Sequence, residues 1–206
     1  PQSGRVRVDG GATSGDHDDA RRRLGLVFQR AEVQLFAQSA REDVAFGPRQ
    51  FGLPDEHVDE AVDAAMRLVG LPAGEYGARH PYALSAGEQR RLALAGVLAM
   101  RPGVLLLDEP FVGLDPAGRR DLLGILAGLR GQGISLVLVT HDAAAARALC
   151  PRRVIMNDGR VIADGAWDLD RGGLDLLLSH GIEAPPLVEL WRRLGLPLDE
   201  APTTPE

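Results

Sequence analysis

The stretch VLLLDEP at residues 104–110 decides the fold of this chain. Its four consecutive apolar residues predict a strand that is buried on both faces, as in a parallel sheet. The strand delivers two adjacent carboxylates, Asp108 and Glu109, to its carboxyl end, where open α/β sheets place their ligand sites. Because adjacent residues of an extended chain point in different directions, one carboxylate can hold Mg²⁺ while the other faces a reacting water. On this stretch alone, a solvated acidic turn is an equally good interpretation.

The residues on either side repeat the alternation of strand and helix. Apolar runs and helical spacing predict strands at 24–28 and 134–139 and helices at 55–69, 85–100, 117–129 and 142–149. We expect Asp55 to cap the helix 55–69 and Gly70 to end it. This order predicts a parallel α/β sheet. We also expect a short strand at 5–9, a hairpin that turns at Asp158 and Gly159, and two short helices after residue 167.

The composition is that of a globular domain and excludes several classes of protein. The chain has 206 residues, 45% hydrophobic and 25% charged, which suits one domain with a short appendage. The net charge of -6 argues against nucleic acid as the primary partner, because duplex-binding domains are usually basic. The longest apolar run, residues 92–100, is far shorter than the roughly 18 residues of a membrane-spanning helix. All 23 basic residues are arginine, so no mechanism can use a lysine from these residues.

The segment LSAGEQ at residues 84–89 begins a predicted helix. Ser85 and Glu88 have the spacing of a capping box, in which each side chain bonds the other residue's backbone N–H. The N–H groups of the helix N-terminus, together with Ser85 and Gly87, also form a site that suits phosphate. The two interpretations are compatible, since the second adds a ligand to the first.

Three further polar residues stand at the ends of predicted strands or helices. Gln29 follows the strand 24–28, His141 follows the strand 134–139, and Asp115 precedes Pro116 at a helix start. Each residue alone is typical of a loop, a structural histidine or a helix cap. The acidic run GDHDD at 15–19 is interpreted as a solvated cap, because the five histidines are scattered and the single cysteine is distant.

Taken together, the ordered segments VFQ, LSAGE, LLLDEP, GLDP and VTHD resemble the ATP-binding subunit of ABC transporters. In that resemblance the matching positions are Gln29 in the Q-loop, Ser85, Ala86, Gly87 and Glu88 in the signature, Asp108 in Walker B, Glu109 as the catalytic glutamate, Asp115 in the D-loop and His141 as the switch histidine. The resemblance implies a P-loop NTPase-like α/β fold, with a parallel sheet, a helical subdomain and short antiparallel β elements. The stretches at 34–48, 92–102 and 185–196 are similar to the cobalt/nickel and energy-coupling-factor branch, which takes up metal ions and vitamins.

The resemblance also implies a mechanism and partners. Two such subunits would sandwich ATP, with Glu109 activating water, Asp108 and Gln29 holding Mg²⁺, and His141 and Gln29 sensing the γ-phosphate. The signature at Ser85–Glu88 would close the partner's site. ATP and Mg²⁺ would be the cofactors. The partners would be an integral membrane transporter subunit and a second ATPase subunit, without nucleic acid, at the cytoplasmic face of the cell membrane.

Three departures from the family pattern bear on activity. Ala86 replaces the usual glycine of the signature, and its methyl restricts φ. Glu88 replaces the usual glutamine, and a carboxylate beside a triphosphate is repelled unless it caps the helix. The sequence has no G-x-x-x-x-G-K-[ST] motif, so it lacks the lysine and the backbone nest that hold the β- and γ-phosphates. We expect a chain truncated just after the P-loop helix and inactive by itself.

The expected organisation is a partial ATPase domain at residues 1–166, with the helical, signature-bearing subdomain at about 40–100, and a C-terminal helical extension at 167–206. One alternative is a non-catalytic partner that donates only its signature half to an intact paralogous ATPase. A structural ATPase of chromosome maintenance shares these motifs but inserts a long coiled coil between Q-loop and signature. Only 56 positions separate Gln29 from Ser85, which argues against that class.

Overall fold

A computed structural model describes residues 6–8, 11–12, 23–167 and 171–197. The chain divides into two units, residues 1–137 and 138–206. The strands and helices up to the division are β1 (Arg7–Val8), β2 (Gly11–Ala12), β3 (Leu24–Val27), α1 (Ala40–Gln50), α2 (Asp55–Leu68), α3 (Ala73–Tyr76), α4 (Ala86–Leu98), β4 (Val104–Asp108), α5 (Pro116–Gly131) and β5 (Ser135–Val139), whose last two residues belong to the second unit. Short 3₁₀ helices lie at Ala31–Gln34 and Pro81–Ala83.

The main sheet has three strands in the order β3-β4-β5. β3 and β4 are parallel, and their register pairs Leu24 with Val104 and Val27 with Leu107. The predicted parallel α/β sheet is therefore confirmed. β1 and β2 form a separate antiparallel pair, so the strand expected near residue 5 continues into a hairpin.

The prediction that the strand at 104–107 is buried on both faces is wrong, because Leu105 and Leu107 are buried whereas Val104 and Leu106 are only half-buried. The neighbouring strands show the same difference between their faces. Gly25, Val27 and Leu107 lie on a buried face, whereas Leu26 is 44% exposed and Val137 is 46% exposed on the alternate positions. A continuous apolar run indicates a strand between two covering layers only when both layers are present. In the described residues the sheet has one buried face and one that is open to solvent.

The helices follow their predicted positions, with a correction at one cap. Asp55 is the first helical residue of α2, and Pro54 occupies the cap position without a side-chain hydrogen bond. Gly70 has a φ of 71°, a left-handed conformation that suits glycine after a helix end, as predicted. Helix α1 was not predicted; Ser39 caps it by accepting a hydrogen bond from the Glu42 N–H at 3.3 Å.

The second unit contains α6 (Ala143–Leu149), β6 (Arg152–Asn157), β7 (Arg160–Ala166), α7 (Arg171–Ser179) and α8 (Pro186–Arg193). β6 and β7 form the predicted hairpin, with positive φ at Asp158 and Gly159 as a tight type I′ turn requires. The two C-terminal helices pack apolar residues against Ile155 of β6, and Trp191 contributes to this core. The run at 15–19 and the Pro-rich end lie outside the described residues. None of the described helices has the length and hydropathy to cross a membrane.

Gly25 marks the closest approach of β3 to α4. A Cβ at this position would overlap the buried Val97 of α4 and would lie 3.1 Å from Leu105 Cδ1. The β-branched Val97 side chain has little freedom to move aside. A side chain at Gly25 would therefore separate the strand from the helix.

We expect Gly25→Ala to destabilise the full-length protein by about 1–3 kcal/mol through overpacking. The matched control is Gly124→Ala, because Gly124 is exposed inside α5 and its added methyl meets nothing within 4 Å. There the higher helix propensity of alanine should stabilise the protein by up to about 1 kcal/mol. Urea unfolding midpoints measure both changes, and equal midpoints for the two variants would contradict the close approach.

Candidate functional site

The pairing of β3 with β4 brings two predicted site residues to one edge of the sheet. Val27 is opposite Leu107, so the next residues of each strand reach the same edge. Gln29 follows β3 by two positions, and Asp108 is the last residue of β4. Both residues are exposed there. This edge is the carboxyl end of parallel strands, where α/β proteins place their ligands.

Glu109 has an unusual backbone. Its φ is 44°, in the left-handed region that residues other than glycine seldom adopt. The turn that follows is closed by a hydrogen bond from the Val112 N–H to the Glu109 carbonyl oxygen at 3.3 Å. Arg101 and Asp158 also have positive φ, but each lies at a helix end or hairpin turn that accommodates it. At the end of a buried strand, such a conformation is typical of a side chain held in place for function.

The N-terminus of α4 carries the predicted capping box. The Ser85 N–H and the Ser85 hydroxyl each donate to Glu88 Oε2 at 2.8 Å, and the Glu88 N–H donates to Ser85 Oγ at 3.3 Å. The backbone bond from Ser85, followed by the bond from its hydroxyl, holds the pKa of Glu88 below its usual value. The Glu88 carboxylate therefore serves as part of the helix cap, as the sequence predicted.

The other signature residues fit this helix start. Ala86 is the first residue of α4 and has the helical conformation that alanine favours. Its methyl therefore does not disturb the helix. A Cβ at Gly87 would lie 3.8 Å from Leu114 Cδ2, which places the signature beside the segment that leads into α5. Asp115 caps α5 by accepting from the Gly118 N–H at 2.7 Å, and Pro116 is the first helical residue.

His141 lies in the second unit. It is exposed and follows β5 by two positions. The next residue, Asp142, caps α6 by accepting from the Ala145 N–H at 2.9 Å, and its own N–H donates to Thr140 Oγ1 at 3.1 Å. The histidine therefore stands at a fixed turn between strand and helix.

Three residues that the sequence analysis did not single out hold this site together. The Gln34 side chain accepts from the Phe28 N–H at 3.1 Å and donates to the Leu26 carbonyl oxygen at 3.3 Å, so it continues the end of β3. The buried Asp43 accepts from the N–H groups of residues 36 and 37 at 2.8 and 2.9 Å. Arg90 bonds backbone carbonyls of three residues far away in sequence. The Arg90 bonds join distant segments, whereas the Gln34 and Asp43 bonds bridge short stretches of irregular backbone. Neither kind follows a helix, strand or cap pattern, so the sequence carried no signal for them.

An exposed group of large apolar side chains lies on and beside the segment that follows Gln29. The rings of Phe36 and Phe46 meet edge to face with centroids 4.8 Å apart, and Phe36 is 58% exposed. The Tyr82 hydroxyl donates to the Leu35 carbonyl oxygen at 2.8 Å, which fixes a third exposed ring near this loop. We call Phe36, Phe46 and Tyr82 the aromatic patch. Exposed apolar clusters of this kind mark interaction surfaces.

The donors at the sheet edge suit magnesium. Mg²⁺ prefers oxygen ligands, keeps several waters, and is commonly bound by one or two carboxylates together with substrate phosphates. Asp108 offers an exposed carboxylate and Gln29 an exposed amide oxygen. The described residues contain no group of three or more histidines, cysteines or acids that could hold a metal without a substrate. The edge therefore offers a hard cation one carboxylate and one amide oxygen.

The chain is similar to known proteins over most of its length. The family model described as ABC transporter matches residues 1–112. The cobalt import ATP-binding protein CbiO of Rhodobacter capsulatus is 45% identical over 92% of this chain and 68% of the relative. The energy-coupling factor transporter ATP-binding protein EcfA2 of Clostridium tetani is 38% identical over 94% of this chain and 69% of the relative. A solved structure of cbiO1 from Clostridium perfringens, titled as part of the complex cbiONQ, has a TM-score of 0.73 and 31% identity, over 95% of this chain and 74% of that one.

The capping box predicts a pH-dependent effect of Ser85→Ala. At pH 7 we expect this change to destabilise the full-length protein by about 0.5–2 kcal/mol. Because the pKa of Glu88 is lowered on folding, its contribution is complete above the ordinary value of 4.5 and is lost as the pH falls through the lowered pKa. The stability difference between wild type and Ser85→Ala should therefore shrink below about pH 4.5, as measured by urea unfolding.

Glu88→Gln is the control for this prediction, because its amide does not titrate. In a Glu88→Gln background the effect of Ser85→Ala should not change across the same pH range. A Ser85→Ala effect that is independent of pH in the wild-type background would contradict the carboxylate cap.

Proposed function

Because the chain belongs to the ABC transporter family, we propose that it is the ATP-hydrolysing part of a subunit that energises membrane import of a transition-metal ion, cobalt or nickel, or of a vitamin. The observation that carries the proposal is the sheet edge, to which the parallel strands β3 and β4 bring Gln29, Asp108 and Glu109. The name of one relative gives cobalt as its substrate, whereas nickel and vitamins follow from the resemblance to the energy-coupling-factor branch. The resemblance to the cobalt and energy-coupling-factor branch and the P-loop NTPase-like fold are both confirmed.

The chain spans roughly two thirds to three quarters of the length of these relatives. The sequence has neither a lysine nor the phosphate-cradling glycine loop. ATP hydrolysis is therefore proposed for the full-length protein, in which such a loop would hold the β- and γ-phosphates. The residues of this chain would supply the remainder of the site.

Glu109 is the proposed general base. Its carboxylate would accept a proton from the water that attacks the γ-phosphate, and the left-handed backbone would fix the direction of the side chain. Asp108 and Gln29 would hold Mg²⁺, which neutralises charge on the phosphates when it is bound. His141, in the exposed turn before α6, would contact the γ-phosphate. These roles follow the resemblance position by position.

The N-terminus of α4 is the proposed binding site for the γ-phosphate of a second ATPase subunit. Backbone N–H groups and the positive end of the helix favour an anion there. The Ser85 hydroxyl donates to Glu88 in the described conformation. To donate to a phosphate instead, the hydroxyl would have to rotate while the Ser85 N–H kept its bond to Glu88. The subunits would thus associate as a dimer with ATP between them.

The aromatic patch is the proposed contact for an integral membrane subunit. Phe36 and Tyr82 are both 58% exposed, and the segment from Gln34 to Asp43 is held by side-chain to backbone hydrogen bonds. A rigid, exposed apolar surface suits a partner better than solvent. The protein would thus lie at the cytoplasmic face of the membrane as a peripheral partner of that subunit.

We expect Glu109→Gln in the full-length protein to reduce ATP hydrolysis by about 10²–10⁴-fold while ATP still binds. The amide has the shape of the carboxylate but does not accept the proton. Glu60→Gln is the matched control, because this exposed carboxylate of α2 is outside the proposed site and its loss changes the net charge equally. Steady-state phosphate release and nucleotide titration measure the two properties. A Glu109→Gln variant that hydrolyses ATP within threefold of wild type would contradict the assignment.

Ser85→Asp distinguishes a Ser85 that only caps the helix from a Ser85 that also binds a phosphate. Asp accepts from the helix N–H groups as Ser does, but it cannot donate to Glu88 Oε2 as the Ser85 hydroxyl does, and the two carboxylates would repel each other. We therefore expect a modest fall in the melting temperature and a protein that still folds. Across a dimer interface, however, the added carboxylate would face a triphosphate where water is excluded and like-charge repulsion is poorly screened. In a Glu109→Gln background we therefore expect ATP to fail to induce dimers, as measured by sedimentation. Normal dimerisation of Ser85→Asp, with Ser85→Thr as control, would show that the signature is only a cap.

A further inference from the structure

Arg90 lies in the first half of α4, five positions after Ser85. Its side chain is half-buried. The helix carries the signature at its N-terminal end, so any group bonded to Arg90 is tied to the signature. None of the proposed steps of ATP hydrolysis uses this arginine.

The Arg90 guanidinium donates to three backbone carbonyls in two separate loops. Nη2 donates to the Gln29 carbonyl oxygen at 3.1 Å. Nη1 donates to the Pro110 carbonyl oxygen at 2.9 Å and to the Val112 carbonyl oxygen. The first carbonyl lies 61 positions away in sequence, and the other two belong to the turn that follows the proposed base.

Only an arginine can hold this set of acceptors. The planar guanidinium has five N–H donors in a fixed fork, so its two terminal nitrogens can face different loops at once. A lysine ammonium is a single point of charge and cannot reach acceptors on both sides in the same way. Pro110 is buried, so its carbonyl would lose a partner if the guanidinium were removed.

These bonds fix the backbone on both sides of the candidate site. Glu109 directly precedes Pro110, and its carbonyl oxygen accepts from the Val112 N–H. Arg90 therefore holds the turn that keeps Glu109 at its positive φ of 44°. The same guanidinium holds Gln29 through its carbonyl, which leaves the Gln29 side chain available for a ligand.

We propose that Arg90 is a positioning residue, which fixes the Q-loop and the turn after Glu109 relative to the signature helix so that Glu109 is aligned for hydrolysis. The effect on hydrolysis rests on the proposed function, whereas the effect on the two loops does not. We assign Arg90 a role through these backbone carbonyls and no contact with the nucleotide. Its loss should consequently lower kcat and leave the KM for ATP nearly unchanged.

The test uses Arg90→Ala and Arg90→Lys in the full-length protein. We expect kcat for ATP hydrolysis to fall at least tenfold in Arg90→Ala, with a KM change below threefold, and Arg90→Lys to recover only part of the rate. Arg67→Ala is the matched control, because it removes an equal charge from an exposed position in the last turn of α2. The control should keep the wild-type kcat and KM.

A double-mutant comparison separates positioning from general destabilisation. If Arg90 affects hydrolysis only by aligning the Glu109 carboxylate, its loss should matter little once that carboxylate is gone. Arg90→Ala should then reduce the single-turnover rate less than twofold in a Glu109→Gln background. A tenfold loss in that background as well would overturn the proposal. So would a loss of kcat in Arg90→Ala that Arg90→Lys restores fully.

Hydrogen exchange measures the positioning itself, without reference to activity. In Arg90→Ala we expect faster amide exchange in residues 28–31 and 109–114 and unchanged exchange in α2. Unchanged exchange in the two loops, or equal acceleration throughout the protein, would overturn the positioning role. If wild-type protein failed to hydrolyse ATP, the proposed function would fail, and the exchange data would still decide the role of Arg90.

Discussion

The parallel pairing of β3 with β4 is the constraint on which the site depends. The two strands are more than seventy residues apart in sequence, yet their register places Val27 opposite Leu107. Their carboxyl ends consequently meet, and the polar residues that follow each strand share one edge. A shift of one residue would turn every side chain of the shifted strand to the other face. The register therefore fixes both the buried face of the sheet and the position of Asp108 and Gln29.

Helix α4 is held to β3 and β4 by two different kinds of contact. Near the start of β3, Gly25 lets the strand approach the helix closely enough for Val97 and Leu105 to pack around it. Beyond the carboxyl ends of the strands, Arg90 bonds carbonyls in the loops that follow β3 and β4. The first contact is apolar and depends on the absence of a side chain. The second is polar and depends on the geometry of a guanidinium, so the two could not replace each other.

The start of α4 is both a well-satisfied helix cap and a place suited to bind an anion. Ser85 and Glu88 satisfy the helix N-terminus, and the same N-terminus is suited to an anion. The replacement of glutamine by Glu88 places a carboxylate where a phosphate would approach. The structure reconciles the two, because the bonds from Ser85 hold that carboxylate against the backbone and lower its pKa.

The sequence by itself determined most of the strands and helices, although not α1, together with the caps at Ser85 and Asp115 and the hairpin turn at Asp158. These features arise from side chains and backbone groups within about four residues of each other, so a local pattern is sufficient to predict them. Its polar residues at strand ends also indicated the family, since five motifs in one order leave little room for another fold.

Only the tertiary structure decided which strand faces are covered, where Gly25 permits a close approach, and which carbonyls Arg90 holds. Leu26 and Val137 belong to apolar runs that look fully buried in sequence, but burial depends on what packs against each face. The partners of Arg90 are backbone groups, which every residue carries alike, so no residue type marks them in advance. The sequence thus fixes the contacts that lie close along the chain, whereas contacts between distant segments exist only once the sheet has brought those segments together.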